Sequence, residues 1–177
     1  MIAVFAFLFL AGPPAEGSWR WLAWAAILGP GIPSLYAVVA FVSGRVTSVF
    51  IPNGRQRVAP MLLASVSCSL GTWYLLKHGS PDYAAQLMAG YTCVALGAAF
   101  GSWWWAISLH VAGVAAPLVV GMVAVDLWYM VLFPIPIVVG WARVRRGEHT
   151  VAQVVVGGLL GVGSIFLGNI LIVILGI

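Results

Sequence analysis

The sequence predicts an all-α, polytopic helical membrane protein with six transmembrane helices preceded by a short N-terminal hydrophobic helix. Of the 177 residues, 63% are hydrophobic and only 7% are charged, and the mean hydropathy is +1.08. A soluble domain carries about 25% charged residues, so this chain has too few to cover a surface in water. Its apolar runs have the length that a helix needs to cross about 30 Å of hydrocarbon. A membrane barrel would instead alternate apolar and polar residues along each strand.

The few charged residues indicate topology. The net charge of +4 is spread over the loops between apolar runs, where basic residues set membrane orientation, and we expect no nucleic-acid partner. The two cysteines, Cys68 and Cys93, lie inside apolar runs and are interpreted as small buried hydrophobic residues. No repeat, linker or low-complexity segment interrupts the chain, which predicts one domain over residues 1–177.

The first part of the chain predicts a short helix and then a kinked span. Residues 1–11 are apolar but too few to cross the membrane alone, which predicts a half-span or an interfacial helix. Residues 19–42 form the first predicted span. A kink is expected at Gly29-Pro30-Gly31 and at Pro33, because proline removes a backbone hydrogen bond and clashes with the preceding turn.

Five further spans follow, separated by turns rich in glycine, proline or charge. They are predicted at about 58–76, 83–100, 101–121, 125–142 and 149–177. The fifth span of the whole chain begins at Gly101-Ser102 and three tryptophans. Only Asp126 separates it from the sixth, in which Pro134 and Pro136 are expected to bend the helix.

One polar stretch, residues 143–153, lies between two hydrophobic runs and reads Arg-Val-Arg-Arg-Gly-Glu-His-Thr-Val-Ala-Gln. Gly147 ends the preceding helix, and if the last helix starts near His149, then Gln153 lies one turn further on the same face. Arg143 is six residues before His149, far enough for the chain to fold back over the same position. A histidine with a hydrogen-bonding partner and nearby guanidinium groups suits the binding of a phosphate. The alternative is a positively charged loop that only fixes membrane orientation.

Counting membrane crossings places further polar residues on the same side as this stretch. The loop that ends at Arg55 and Arg57 precedes it by four helices, and the Gly101 turn lies two helices after that loop. His110, about two turns into the fifth predicted helix, then lies just beneath the same surface. An ionisable residue in a membrane helix is costly unless it is paired or faces water, so His110 is a functional candidate, with a structural hydrogen bond to a backbone carbonyl as the alternative. His78 falls on the opposite side and is interpreted as a loop residue.

Two histidines, at least three arginines and Ser108 are therefore expected on one side of the membrane, without the spacing of metal ligands. Phosphoryl transfer through histidine uses such a set. One imidazole attacks phosphorus, a second protonates the leaving oxygen, and guanidinium groups neutralise the phosphate oxygens.

These motifs resemble those of the type 2 phosphatidic acid phosphatase superfamily of membrane lipid phosphatases. The family's third motif is Ser-Arg, five residues, His, three residues, Asp, and Ala142-Arg143, His149 and Gln153 match its spacing. Its second motif, Pro-Ser-Gly-His, is matched loosely by Ile107-Ser108-Leu109-His110. Its first motif, Lys, six residues, Arg-Pro, is matched only in character by Arg55-Gln56-Arg57-Val58-Ala59-Pro60.

The resemblance extends over about residues 52–161 and implies a role for each matched residue. His149 would be the nucleophile that forms a phosphohistidine, His110 the general acid for the leaving alkoxide, and Gln153 the residue that orients His149. The phosphate would be bound by four residues, Arg55, Arg57, Arg143 and Ser108. The family needs no metal, so no cofactor is expected.

Three departures from the family pattern bear on activity. Gln153 replaces the aspartate that holds the nucleophile; its carbonyl can accept a hydrogen bond and fix the tautomer, but it cannot stabilise an imidazolium by charge. We therefore expect a slower enzyme. Leu109 replaces a flexible glycine, and Trp105 stands where a basic group would help to bind phosphate.

The buried surroundings of these residues favour a lipid substrate whose head lies at the interface and whose tail lies among the helices. Phosphatidate, phosphatidylglycerol phosphate and polyprenyl phosphate or diphosphate all fit. We expect the protein in the cell membrane. The number of arginines on each side does not decide which face of the membrane carries the polar site. A non-catalytic lipid-phosphate-binding protein fits the same residues, and a small transporter ranks last because the polar cluster is one-sided and no repeat is evident. The oligomeric state stays open, since Gly157, Gly158 and Gly161 suit packing within the chain or between chains.

Overall fold

Helices form all the regular structure in the computed structural model, which describes residues 18–45 and 55–176 and contains no strand in those ranges. In chain order the elements are α1 (Ser18–Ala26), a π-helical turn (Ile27–Gly31), α2 (Ile32–Val42), a 3-10 turn (Arg55–Arg57), α3 (Val58–Lys77), α4 (Asp82–Gly101), α5 (Leu109–Ala124), a 3-10 helix (Leu127–Leu132), α6 (Pro134–Arg145) and α7 (Val151–Leu175).

The predicted polytopic helical architecture is confirmed. Five segments of the described chain are long and apolar enough to cross a membrane: α1 with α2, then α3, α4, the 3-10 helix with α6, and finally α7. The remaining helix, α5, has 16 residues and is about 24 Å long at 1.5 Å per residue, which makes it the shortest of the six predicted spans. The hydrophobic helix predicted at residues 1–11 lies outside the described residues.

The short helix α5 forms the centre of the bundle. Residues 111–121 are all buried, and the helix packs between α4 and α7. On the α4 side, the Tyr91 hydroxyl donates to the Gly113 carbonyl over 2.9 Å. On the α7 side, Gly157 and Gly161 bring the backbone of α7 directly against the backbone of α5. A helix enclosed in this way need not match the thickness of the bilayer, because other helices cover it.

The first span bends where the sequence predicts a kink. The Ile32 N–H bonds to the Ile27 carbonyl in the π-helical turn that contains Pro30, so the Leu28 carbonyl loses its usual helical donor. The Ser67 hydroxyl of α3 donates to that carbonyl. A kinked membrane helix needs such a replacement donor, because no water is present in the hydrocarbon core to supply one.

Two helix boundaries before α7 differ from the prediction. The fifth helix begins at Leu109, not near Gly101, because the chain turns at Ser102–Trp105 and Ser108 is extended at φ −75° and ψ 94°. The three tryptophans in this turn are 39 to 74% exposed, which suits the interface more than a packed helix. Further on, Asp126 caps the 3-10 helix by accepting from the Trp128 N–H over 2.7 Å. Pro134 then starts α6, where its missing N–H costs no hydrogen bond, and does not bend a longer helix.

The close approach of α5 and α7 gives a matched pair of test substitutions. A methyl group at Gly157 would lie 2.5 Å from the Ser108 carbonyl oxygen, whereas at Gly158 the nearest atom is Val111 Cγ1 at 3.7 Å. Gly157→Ala is expected to lower the free energy of unfolding by about 1–3 kcal/mol. Gly158→Ala is expected to be neutral or to stabilise by up to about 1 kcal/mol through helix propensity. Unfolding in mixed detergent micelles measures both, and equal effects would contradict the packing described here.

Candidate functional site

His149 lies in the five-residue connection between α6 and α7, and both helix ends are closed by local hydrogen bonds. At the end of α6, the Gly147 N–H bonds to the Val144 carbonyl and the Glu148 N–H to the Arg143 carbonyl, with Gly147 at φ +69°. This pattern is a Schellman motif, and the positive φ is why a glycine stands there. Thr150 then caps α7. The backbone on both sides of His149 is therefore fixed.

The start of α7 is a capping box. The Thr150 hydroxyl accepts from the Gln153 N–H over 3.3 Å, and the Gln153 side-chain oxygen accepts from the Thr150 N–H over 2.9 Å. The helix thus begins at Val151, and His149 precedes it, contrary to the predicted start at His149. The predicted contact exists nevertheless, because Gln153 Oε1 lies 3.2 Å from His149 Nδ1.

This shared oxygen assigns the tautomer of His149. A backbone N–H can only donate, so the Gln153 atom that faces Thr150 must be the carbonyl oxygen and not the amide nitrogen. The same oxygen can only accept from His149, which places the ring proton on Nδ1. In the neutral imidazole, Nε2 then carries the lone pair.

The electrostatic surroundings keep His149 neutral. The side chain is 8% exposed, and burial, followed by the neighbouring Arg57 and Arg143, lowers the pKa of His149 below its usual value of 6.5, while hydrogen bonds with Gln153 and the Ala106 backbone oppose this shift. Burial and the two arginines together outweigh the two hydrogen bonds, so the net effect is a lower pKa of His149. The imidazole is therefore a free base at neutral pH and becomes a cation only in more acidic solution.

His110 is brought to the same place by a backbone contact between α5 and α7. The Ser108 N–H donates to the Gln153 carbonyl over 3.2 Å, and His110 is the second residue of α5, not two turns into a helix as predicted. The imidazole is half-buried and interacts electrostatically with Arg143, Glu148 and His149. One residue, Gln153, thus contacts His149 through its side chain and positions the His110 segment through its backbone.

Arg57 and Arg143, the two arginines that act on His149, also repel one another. Burial and then Arg143 lower the pKa of Arg57, although a guanidinium stays charged at any physiological pH. Arg143 also forms an ion pair with Glu148, which bonds to Arg146 over 2.9 Å with its other oxygen. The Arg143 Nε–H is buried and has no hydrogen-bond acceptor among the described residues. An anion placed between Arg57 and Arg143 would relieve their repulsion and accept this bond.

Most of the residues singled out in the sequence converge. The structure brings together Arg57, Ser108, His110, Arg143, His149 and Gln153. The side chain of Arg55 lies outside the described part of the structure. Ser108 is fully buried with its carbonyl oxygen against α7, and its hydroxyl has no partner in the described residues, so its contact with a phosphate stays a prediction.

His78 is distant from the cluster, as expected. It caps the far end of α3, where its ring lies 2.8 Å from the Tyr74 carbonyl through Nδ1 and stacks on the Tyr74 ring. Among residues 18–45 and 55–176, no three His, Cys, Asp or Glu side chains come together as metal ligands.

Two features of the cluster were not predicted from the sequence. The capping box could have been recognised, because Thr150-x-x-Gln153 before an apolar run is its usual signature. The ion pairs of Glu148 are harder to predict from the sequence than the capping box. They depend on the Schellman turn, which directs the Glu148 side chain back towards Arg143 and Arg146.

No protein-family model matches the chain, and no curated protein or solved structure shows significant similarity to it. The resemblance to membrane lipid phosphatases therefore rests on the motifs and spacings given above.

The pKa of His149 can be tested by removing one of its cationic neighbours. Arg57→Gln is expected to raise the pKa of His149, because the ring then no longer has to charge beside that guanidinium. The change is measured by nuclear magnetic resonance titration of the ¹³C-labelled histidine rings in micelles. Arg145→Gln is the control, because Arg145 is exposed at the end of α6 and stacks on Trp141. A pKa that responds equally to both substitutions would contradict the local electrostatic cause.

Proposed function

We propose that the chain is a membrane phosphohydrolase that cleaves a lipid phosphate or diphosphate through a phosphohistidine on His149. The observation that carries the proposal is the hydrogen bond from His149 Nδ1 to a Gln153 oxygen that the Thr150 N–H has already fixed. This bond leaves Nε2 unprotonated on a buried, neutral imidazole. A nucleophilic histidine requires that state.

The first chemical step would transfer the phosphoryl group to the protein. The lone pair of His149 Nε2 attacks phosphorus, the bond from phosphorus to the lipid oxygen breaks, and the leaving oxygen takes a proton from His110. Arg57 and Arg143 would neutralise the equatorial oxygens of the phosphoryl group, on which charge is spread in the transition state.

The second step would restore the free protein. His110, now neutral, takes a proton from water, and the resulting hydroxide attacks the phosphorus of the phosphohistidine. The bond from phosphorus to His149 Nε2 breaks, phosphate leaves, and the imidazole recovers its lone pair. Each histidine returns to its starting protonation state, so the cycle needs no co-reactant except water.

The level of the cluster in the bilayer supports a lipid substrate. Trp103 and Trp104 are 57% and 74% exposed in the turn that precedes His110, and exposed tryptophans are typical of the membrane interface. The phosphate of a membrane lipid lies at the same depth. We also propose that the membrane in which the protein lies is the cell membrane.

Phosphate release from lipids tests the proposal directly. Purified protein in detergent, with a metal chelator present, is assayed with phosphatidate, phosphatidylglycerol phosphate, polyprenyl phosphate and polyprenyl diphosphate. His149→Ala is expected to abolish release, and His110→Ala to slow it by about 10²–10⁴-fold, the usual contribution of a general acid. His78→Ala is the matched control and is expected to leave release unchanged, because His78 lies at the other end of α3.

The pairing of Arg143 with Glu148 favours one alternative, a lipid-phosphate-binding protein without turnover, because an engaged guanidinium gives less stabilisation to a transition state. The same experiment separates the two functions. No release from any lipid, with binding retained in the wild type, would leave only the binding function. Release that survives His149→Ala would exclude the phosphohistidine.

Gln153→Glu tests the consequence of the missing carboxylate. Glutamate preserves the capping box, in which it is a usual residue, and adds a charge beside the Nδ1 proton of His149. We expect the pKa of His149 to rise and turnover to increase by about tenfold for each pKa unit of added imidazolium stabilisation. Gln153→Ala, which removes both hydrogen bonds, is expected to lower turnover. Unchanged turnover in the glutamate variant would show that imidazolium stabilisation does not limit the rate.

A further inference from the structure

An apolar cavity of about 200 Å³ lies between the kinked first span, α3, α4 and α5. Its walls include Met61 of α3 and Leu109 of α5. Met61 follows Arg57 by one helical turn and therefore lies on the same face, and Leu109 is adjacent to His110. The end of the cavity that Met61 and Leu109 line is therefore the end nearest to Arg57 and His110.

The cavity extends from this end towards the middle of the bundle. Cys68, two turns beyond Met61 on α3, lines its inner part together with Tyr91 and Gly113. Two turns correspond to about 10 Å along the helix axis. This direction is the one that a hydrocarbon chain follows below a phosphate group at the interface.

The kink of the first span contributes one wall of this space. Gly29, Pro30 and Pro33 line the cavity, and the Ser67 hydroxyl fixes the kink by bonding to Leu28. Ser34, which also lines the cavity, is exposed at the perimeter of the described bundle.

We propose that this cavity holds the hydrocarbon chain of a single-chain lipid phosphate whose head group lies among Arg57, Arg143 and His149. This inference rests on the proposed function and narrows its substrate class. A cavity of about 150 Å³ holds one benzene molecule, so this one has room for a segment of about eight carbons. That is enough for part of one chain.

A volume of about 200 Å³ accommodates one chain segment of that length. A smaller cavity, of about 100 Å³, is lined by Thr72, Leu175 and neighbours near the opposite end of α3 and α7. Because the volume of about 200 Å³ corresponds to part of one chain, polyprenyl phosphates and single-chain alkyl phosphates fit that cavity better than phosphatidate or phosphatidylglycerol phosphate.

Photolabelling tests the location of the chain without requiring turnover. The probe is octyl phosphate that carries a diazirine on its last carbon, and labelled peptides are identified by mass spectrometry. We expect labels on the inner face of α3 and its neighbours, at Met61, Cys68 or Tyr91. The outer face of the same helix is the internal control, because Leu62, Val66 and Leu70 are 47 to 58% exposed. Labels confined to that outer face would overturn the proposal.

Filling the cavity provides the second test. Ala64 of α3 is half-buried and lines the cavity, and Ala64→Phe is expected to weaken binding of octyl phosphate by at least about tenfold, as for a blocked hydrophobic subsite. Ala124→Phe is the matched control, because Ala124 is exposed at the far end of α5. Inorganic phosphate is expected to bind equally to both variants, and equal loss of octyl phosphate binding in both would contradict the assignment.

Competition against the probe tests the preference for one chain. Polyprenyl phosphate is expected to displace octyl phosphate at a concentration about tenfold lower than phosphatidate does. Equal displacement would overturn the single-chain assignment. The labelling and binding measurements are all repeated in His149→Ala. Failure of the hydrolase proposal can then be distinguished from failure of the cavity proposal. Inner-face labels without phosphate release in the wild type would reject the hydrolase but retain the cavity assignment. Phosphate release with outer-face labels would retain the hydrolase but reject the cavity assignment.

Discussion

The hydrogen-bond acceptor on Gln153 is the feature on which the arrangement of the cluster depends. Its side-chain oxygen accepts from Thr150 and from His149, and its backbone oxygen accepts from Ser108. Gln153 therefore couples three features of the cluster. These are the cap of α7, the tautomer of His149 and the position of the segment that carries His110. In the lipid phosphatase family that the motifs resemble, an aspartate stands at the matching position. A glutamine serves the capping box without charge, and the remaining stabilisation of a cationic histidine has to come from elsewhere.

The nearest carboxylate in the described residues is that of Glu148, but it is bound to Arg143 and Arg146. The cluster therefore contains an internal ion pair beside a pair of repelling arginines and two imidazoles. Glu148 thereby offsets part of the positive charge of the arginines. It still leaves the buried Arg143 Nε–H available to an incoming anion.

Close backbone packing extends this local order into the membrane. Gly157 and Gly161 let α7 contact the carbonyls of Ser108 and Ala112, so the short helix α5 is held from its first residue onwards. On its other side, the kinked first span leaves room for the apolar cavity, and Ser67 supplies the hydrogen bond that the kink removes. The polar cluster and the cavity therefore depend on the same central helix. A change in the packing of α5 alters both.

The sequence by itself determined that the chain is a helical membrane protein and predicted that its polar residues meet on one side of the membrane. Apolar length and the scarcity of charge require membrane helices, because backbone groups in hydrocarbon must bond within their own segment. The number of crossings then places Arg57, His110, Arg143 and His149 together. The tertiary structure decided which atoms meet. The start of α5 at Leu109, the engagement of Arg143 by Glu148 and the cavity all depend on distances between helices. Several side chains compete for each polar partner, and the packed backbone selects among them in a way that residue spacing along one helix does not specify.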